Sequence, residues 1–280
     1  MILNENEVMD DVRRALREDV GPGDITADLL SPSTHVHAEI LSREPMLLCG
    51  RPWVEEVFHR VDPSIQLTWL AKEGTWLDQP QTLCSLSGRA QSILTAERTA
   101  LNFLQTLSAT ATQTYRCVQS LQGLSTRVLD TRKTIPGLRY AQKYAVRLAG
   151  GVNHRLGLYD AYLIKENHIR AFGSITAVIQ HARALRPAMF LEIEVETLEE
   201  FQEALDAKPD RILLDNFTLP MLEQAVLMNR HASVTLEASG GIDKEHLIDV
   251  ARTGVDYISM GSLTKSIQAI DLSLLIKDEQ

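Results

Sequence analysis

The stretch RVLDTRKTIPGLRYAQKYAVRLAGGVNHRLGLYDAYLIKENH, residues 127–168, decides how this chain is read. It opens on a short apolar run, Arg127–Leu129, that ends in Asp130-Thr131-Arg132-Lys133. It closes on another, Ala161–Ile164, that ends in Lys165. Short apolar runs that end in polar groups and then give way to helical spacing mark βα units. Between Arg127 and Lys165 stand eight Lys or Arg against only Asp130 and Asp160, so the stretch is +6 inside a chain of formal charge −9. The rest, with 20 bases and 35 acids, is −15. A basic island in an acidic protein suits a small, multiply charged anion. Several of the bases stand beside strand ends and glycines rather than along one helical face, which argues against a solvated charged helix. Nucleic-acid binding usually calls for a basic domain, and this chain is acidic.

Downstream the same pattern repeats. Strands are predicted at Arg127–Leu129, Ala161–Ile164, Phe190–Val195, Arg211–Leu214, Val234–Ala238 and Tyr257–Met260. Their ends carry Lys165, Glu194, Asp215-Asn216, Ser239-Gly240-Gly241 and Gly261-Ser262, and helices at Leu198–Ala207, Pro220–Met228 and Lys244–Thr253 fill the gaps. A parallel sheet closed into a barrel would bring these strand ends to one mouth. Six strands rather than eight point to an incomplete barrel; an open doubly wound sheet with its ligand at a switch point is the alternative.

Upstream, residues 5–19 place Val8, Val12, Ala15 and Leu16 on one helical face. Residues 35–44 alternate like a strand, 51–60 return to helical spacing, and 64–74 and 81–88 read as two more strands. This first part reads as a small α+β module. Residues 91–107 predict a strong helix in which Glu97 falls near the middle of the apolar face and needs a partner. Arg98, at its rim, reads by itself as an ordinary surface ion pair.

At 280 residues and 44% hydrophobic composition the chain can build one large α/β unit or two domains. No apolar run reaches the roughly 20 residues of a membrane span. The acidic N-terminus has no secretory pattern. Cys49, Cys84 and Cys117 are far apart and outside any CxxC, which fits a reducing cytoplasm rather than disulfides or zinc.

Two glycine loops, EASGGID (237–243) and SMGSLTK (259–265), follow the last two strands, the usual place of a barrel phosphate site. Glu192, Glu194 and Glu196 share one strand face by period two, and Lys165 is the natural counter-charge. Arginines suited to carboxylates, a phosphate cradle and carboxylates able to stabilise a cation together imply a reaction between an organic acid and a phosphorylated sugar.

TAERTALN (95–102), DTRKTIPGLR (130–139), GGVNHRLGLYDAYLIKENH (150–168), EIEVETLEE (192–200), LLDNF (213–217), EASGGI (237–242) and MGSLTKS (260–266) resemble the quinolinate phosphoribosyltransferases, as does EDVGPGDITADLL (18–30). The resemblance covers nearly the whole chain in order. It implies an N-terminal α/β sandwich domain, residues 1–108, and a C-terminal incomplete, about six-stranded α/β barrel, residues 109–267, with the tail 268–280 packing back on the first. It also implies a cytoplasmic homodimer that converts quinolinate and 5-phosphoribosyl-1-pyrophosphate, with Mg2+, into nicotinate mononucleotide, pyrophosphate and carbon dioxide. By the same resemblance Thr131, Arg132, Lys133, His154, Arg155 and Lys165 surround quinolinate, and Arg98 reaches a partner's site, which revises its reading as a surface ion pair. Glu194 and Asp215 meet the ribose and a hydrated magnesium that no residue ligates directly. Ser239, Gly240, Gly241, Met260, Gly261, Ser262 and Lys265 take the phosphate side. Ala149 departs from the expected pattern, which has a third glycine there.

Three rival readings carry different tests. A paralogue of the molybdate-transport-associated type would bind the phosphoribosyl donor and act on another acid. A barrel aldolase would use Lys165 as a Schiff base. A non-catalytic anion-binding regulator would not need Glu194 and Asp215 beside a phosphate cradle.

Overall fold

The computed structural model describes residues 3–232 and 234–277. In chain order its elements are α1 (Glu5–Asp19), β1 (His35–Ser42), β2 (Met46–Leu47), α2 (Arg51–Val61), β3 (Gln66–Trp69), β4 (Trp76–Leu77), β5 (Gln81–Arg89) and α3 (Ala90–Ser120). There follow β6 (Arg127–Leu129), α4 (Arg139–Leu148), β7 (Tyr162–Ile164), α5 (Glu166–Phe172), α6 (Ile175–Leu185), β8 (Leu191–Val195) and α7 (Leu198–Ala207). The last are β9 (Arg211–Asp215), α8 (Leu219–Met228), β10 (Thr235–Ser239), α9 (Leu247–Arg252), β11 (Tyr257–Ser259), α10 (Ser262–Lys265) and β12 (Leu272–Lys277). Two compact units result: one of the chain up to Tyr115, Ile135–Gly150 and the segment from Ser266, the other of Arg116–Thr134 and Gly151–Lys265. Residues 278–280 of the expected tail lie outside the described residues.

The first unit holds an antiparallel sheet in the order β12-β1-β5-β3. β1 buries Ala38, Ile40 and Ser42 by strict alternation. α2 starts on the left-handed Gly50, and the Glu73 carboxylate accepts the N–H groups of Gly50 and Arg51 at 2.9 and 3.2 Å, an anion where the helix leaves donors open. α3 runs 13 residues past the predicted end at 107. Its continuation, SATATQT, offers no large apolar side chain at helical spacing, so periodicity misses it. It is buried because its hydroxyls work: Ser108 bridges the N–H and C=O of Cys49, and Thr112 accepts the N–H of Leu47. The basic stretch is divided as well. Arg139, Lys143 and Arg147 fall at i, i+4 and i+8 on α4 in this unit, with Lys143 fully buried. Bases set off from a helical face are therefore only those at strand ends and loops.

The second unit holds all six predicted strands, in a parallel sheet of order β6-β11-β10-β9-β8-β7. Leu129 makes a single parallel bridge to Val152, beside the edge strand β6. One face of the strands carries Val128, Ile164, Ile193, Val195, Ile212, Leu214, Leu236, Ala238 and Ile258, all buried. A parallel sheet covered in this way needs apolar runs of the kind the sequence shows. The other face is polar and stacked in layers. Register pairs Ser239 with Asp215, Glu237 with Leu213 and with Tyr257, Glu192 with Arg211 and with Leu163, and Glu194 with Leu213. Lys165, Glu194, Asp215 and Ser239 stand at the C-terminal ends of their strands and form the mouth; Leu163, Glu192, Leu213 and Glu237 lie two residues earlier along the same strands; Arg211 lies two residues before Leu213, and Tyr257 two before Ser259. Two predictions need correcting. Glu196 lies past the end of β8 and is exposed, so only Glu192 and Glu194 share its inner face. α9 begins at Leu247 rather than Lys244, because Asp243 accepts the N–H groups of Glu245 and His246 in a turn.

Candidate active site

At the mouth of the second unit a cavity of about 320 Å³ is lined by Thr131, Arg132, Lys133, His154, Arg155, Leu163, Lys165, Glu194, Leu213, Asp215, Glu237, Ser239 and Ser259. A larger hollow of about 580 Å³ in the first unit mixes Asp11, Arg14, Arg17, Glu18 and Asp19 with apolar side chains, without convergent charge of one sign.

One wall of the cavity is cationic. Asp130, fully buried at the end of β6, accepts the side-chain amide of Asn153 at 2.6 Å and the N–H of His154 at 2.9 Å. This fastens the 152–155 loop beside Thr131-Arg132-Lys133. Thr131 Oγ1 accepts the N–H of Lys133, and Thr264 Oγ1 donates to the Lys133 carbonyl, which fixes the second arm. Burial, and next the like charge of Arg132, push the Arg155 guanidinium below its ordinary value. Arg155 Nε is buried without a hydrogen-bond partner. Two guanidiniums brought together, one with an unmatched donor, form a seat for an anion.

The opposite wall is anionic. Lys165 Nζ lies 2.5 Å from Glu194 Oε2, with Lys165 half exposed and Glu194 largely covered. Asp215 accepts a hydrogen bond from Asn216 Nδ2 at 2.8 Å. Beside these acids lie the glycine loops. Gly240 and Gly241 take φ of 106° and 62°, values that suit glycine. A Cβ at Gly261 would come within 2.9 Å of the Lys133 side chain, so that loop packs closely against the basic arm. A cationic wall and carboxylates thus share one cavity, with glycine-rich loops beside it.

Of the sequence-predicted site residues, Thr131, Arg132, Lys133, His154, Arg155, Lys165, Glu194, Asp215 and Ser239 line this cavity. Gly240, Gly241 and Gly261 stand in the adjoining loops, and Ser262 and Lys265 begin and end α10. Met260 is different: its side chain is buried and its N–H already donates to the Leu129 carbonyl, so it brings no donor of its own. Arg98 lies exposed on α3 in the other unit, beside Glu97, whose carboxyl burial pushes up and the Arg98 charge lowers.

Sequence reading placed Glu192 on the inner face of its strand and missed Glu237 below the mouth. Glu237 is fully buried and its carboxyl is pushed up to about 8, by burial first and then by the charge of Glu192. Glu192 is raised by burial as well. Period two, which gave Glu192, would have found Glu237 as well, two residues before Ser239 on β10. His154, Glu192 and Glu237 offer atoms within 4.8 Å of one another, a spacing that suits a metal. Arg211 Nη1, 3.0 Å from Glu237 Oε2, already supplies a cation there.

Comparison with known proteins agrees with this geometry. Residues 110–275 match the model of the quinolinate phosphoribosyl transferase C-terminal domain, and residues 24–108 that of its N-terminal domain. The chain is 41% identical over 273 residues to the nicotinate-nucleotide pyrophosphorylase [carboxylating] of Mycobacterium leprae, covering 95% of each. It is 39% identical to a probable enzyme of the same name from Bacillus subtilis, covering 92% of this chain and 89% of the relative. The solved nicotinate-nucleotide pyrophosphorylase of Francisella tularensis superposes with a TM-score of 0.95 at 46% identity, over 98% of each chain. Matched by both domain models along most of its length, the chain belongs to the quinolinate phosphoribosyltransferase family.

Proposed function

We infer that this chain transfers the phosphoribosyl group of 5-phosphoribosyl-1-pyrophosphate to the ring nitrogen of quinolinate. The products are nicotinate mononucleotide, pyrophosphate and carbon dioxide, a pentosyl transfer of pyridine nucleotide synthesis. The observation that carries it is the single cavity in which an arginine-rich acid pocket meets Glu194, Asp215 and the Ser239 loop. Arg132 and Arg155, with Lys133, Lys165 and His154 around them, receive the two carboxylates. Glu194 and Asp215 stand where positive charge builds on the ribose as the C–O bond to pyrophosphate breaks and the C–N bond forms, and they stabilise it without forming a bond. Ser239 to Gly241, with Gly261, Ser262 and Lys265, cradle the 5-phosphate.

Decarboxylation needs no further acid or base to break the carbon–carbon bond. The ring nitrogen, now a pyridinium, holds the electron pair left when the adjacent carboxylate departs, and the ring carbon then takes a proton. The arginines hold the ring in place throughout. With Glu194 engaged by Lys165, the mouth fits a magnesium ion held by donor phosphates and water, with Glu194 and Asp215 in its outer shell. Such an ion would offset the charge of the leaving pyrophosphate.

Arg98 acts in a homodimer by reaching the partner's acid pocket, and the chain works in the cytoplasm. No helix among the described residues is long and apolar enough to cross a membrane, and Cys49, Cys84 and Cys117 are free thiols. The direct test is consumption of quinolinate by the purified chain with donor and magnesium. Turnover of nicotinate instead would reject the reading.

A further inference from the structure

The polar layer beneath the acid pocket is deeply buried. Glu192 and Glu237, 1% and 0% exposed, project inward from β8 and β10, one layer below Glu194 and Ser239. Glu192 Oε2 is 2.7 Å from His154 Nε2. Arg211 Nη1 is 3.0 Å from Glu237 Oε2, and its guanidinium lies over the Tyr257 ring, 4.3 Å from the centroid. Oε1 of each carboxyl is buried beyond the reach of any donor on another side chain or the backbone. A buried carboxyl with an idle oxygen is costly unless it orients something.

The hydrogen bonds of His154 show what is oriented. The N–H of Arg155 donates to His154 Nδ1 at 2.7 Å, so that nitrogen carries a lone pair rather than a proton. The proton then sits on Nε2, aimed at Glu192. We propose that Glu192 is a positioning residue of the acid pocket: it holds His154 as the neutral Nε2–H imidazole, and that imidazole fixes the backbone from which Arg155 reaches the substrate acid. This rests on the reading of the site as a quinolinate pocket. Arg211 pairs with the Glu237 carboxyl, and burial raises both acids. The groups facing the imidazole are Glu192, Glu237 and, at the backbone of its own loop, Asp130. The pocket's positive charge therefore comes from Arg132, Lys133, Arg155 and Lys165, while His154 supplies position.

The test uses the full chain with 15N-labelled histidine rings, the His154→Gln variant serving only to assign the signals. The expected result is a protonated Nε2 and a bare Nδ1 at His154 from pH 6 to pH 8. In Glu192→Gln, which keeps shape and removes charge assistance, that pattern is lost and the quinolinate KM rises about tenfold while the donor KM holds. A doubly protonated His154 at neutral pH overturns the role of Glu192, and so does a Glu192→Gln chain with wild-type signals and KM. A wild-type chain silent toward quinolinate overturns the substrate reading instead, because the ring-nitrogen pattern is measured without substrate.

Discussion

A Cβ on Gly240 would stand 2.7 Å from the backbone nitrogen of Asn216, so the loop after β10 and the loop after β9 interlock where a side chain is missing. Asn216 is itself left-handed, φ 56°, and its N–H donates to the Ser239 carbonyl at 3.0 Å. The Ser239–Gly241 loop and the segment that carries Asp215 are therefore set against each other by contact. Gly240→Ala must push Asn216 away and strain a backbone at φ 106°. It is expected to weaken binding of the phosphoribosyl donor at least about tenfold, with acid binding unchanged. Separate calorimetric titrations with donor and with quinolinate check this; equal weakening of both would contradict it.

Arg132 stands beside Arg155 in the cavity, where its charge disfavours that of the Arg155 guanidinium. Arg132→Ala is expected to lose most activity, on the order of a hundredfold or more in kcat/KM, with unchanged circular dichroism and melting temperature. Near-normal turnover would remove Arg132 from the pocket.

Lys165 Nζ is engaged by Glu194 Oε2 at 2.5 Å, so the amine is paired rather than aimed at a carbonyl carbon as a Schiff-base nucleophile would be. Borohydride in the presence of carbonyl compounds is expected to leave the mass of the chain unchanged. Trapped adduct at Lys165 would revive the aldolase reading.

If Arg98 completes the pocket of a partner, two inactive variants can repair each other. A refolded equal mixture of Arg98→Ala and Arg132→Ala chains should regain about a quarter of wild-type activity, since half the dimers are mixed and each mixed dimer keeps one intact site. No recovery would place Arg98 outside the reaction.

Glu237 links the barrel's interior to pH. Its folded value, pushed up to about 8 from 4.5, means the folded chain binds more protons than the unfolded one between those values. Its contribution to stability is therefore full below about pH 4.5 and is lost as pH rises through 8. The wild-type melting temperature is expected to fall by on the order of 5 °C between pH 5.5 and pH 8.5. Glu237→Gln should flatten that slope, and an unchanged slope in the variant would assign it to another group.

The strands that carry the site were legible because each is a short apolar run ending in a functional group. β6 to β11 lie within a residue or so of their predicted bounds. The mouth residues Lys165, Glu194, Asp215 and Ser239 followed from those ends. What was not legible depends on contacts between distant segments. The second half of α3 is helical because Ser108 and Thr112 bond to residues 59 and 65 positions away, which no local periodicity encodes. Lys143 reads as a surface base and is buried. Glu237 was hidden for the opposite reason: its signal, alternation below Ser239, was present, but a buried acid is not expected inside an apolar strand.

The central claim is that one cavity joins donor and acid and then releases carbon dioxide. The direct measurement uses quinolinate carrying 13C in the carboxylate next to the ring nitrogen, mixed with the chain, 5-phosphoribosyl-1-pyrophosphate and magnesium. Labelled carbon dioxide and nicotinate mononucleotide are followed together. The account predicts the two in equal amounts, with neither formed when the donor is omitted. Carbon dioxide released without donor, or no nucleotide despite bound donor, would contradict it.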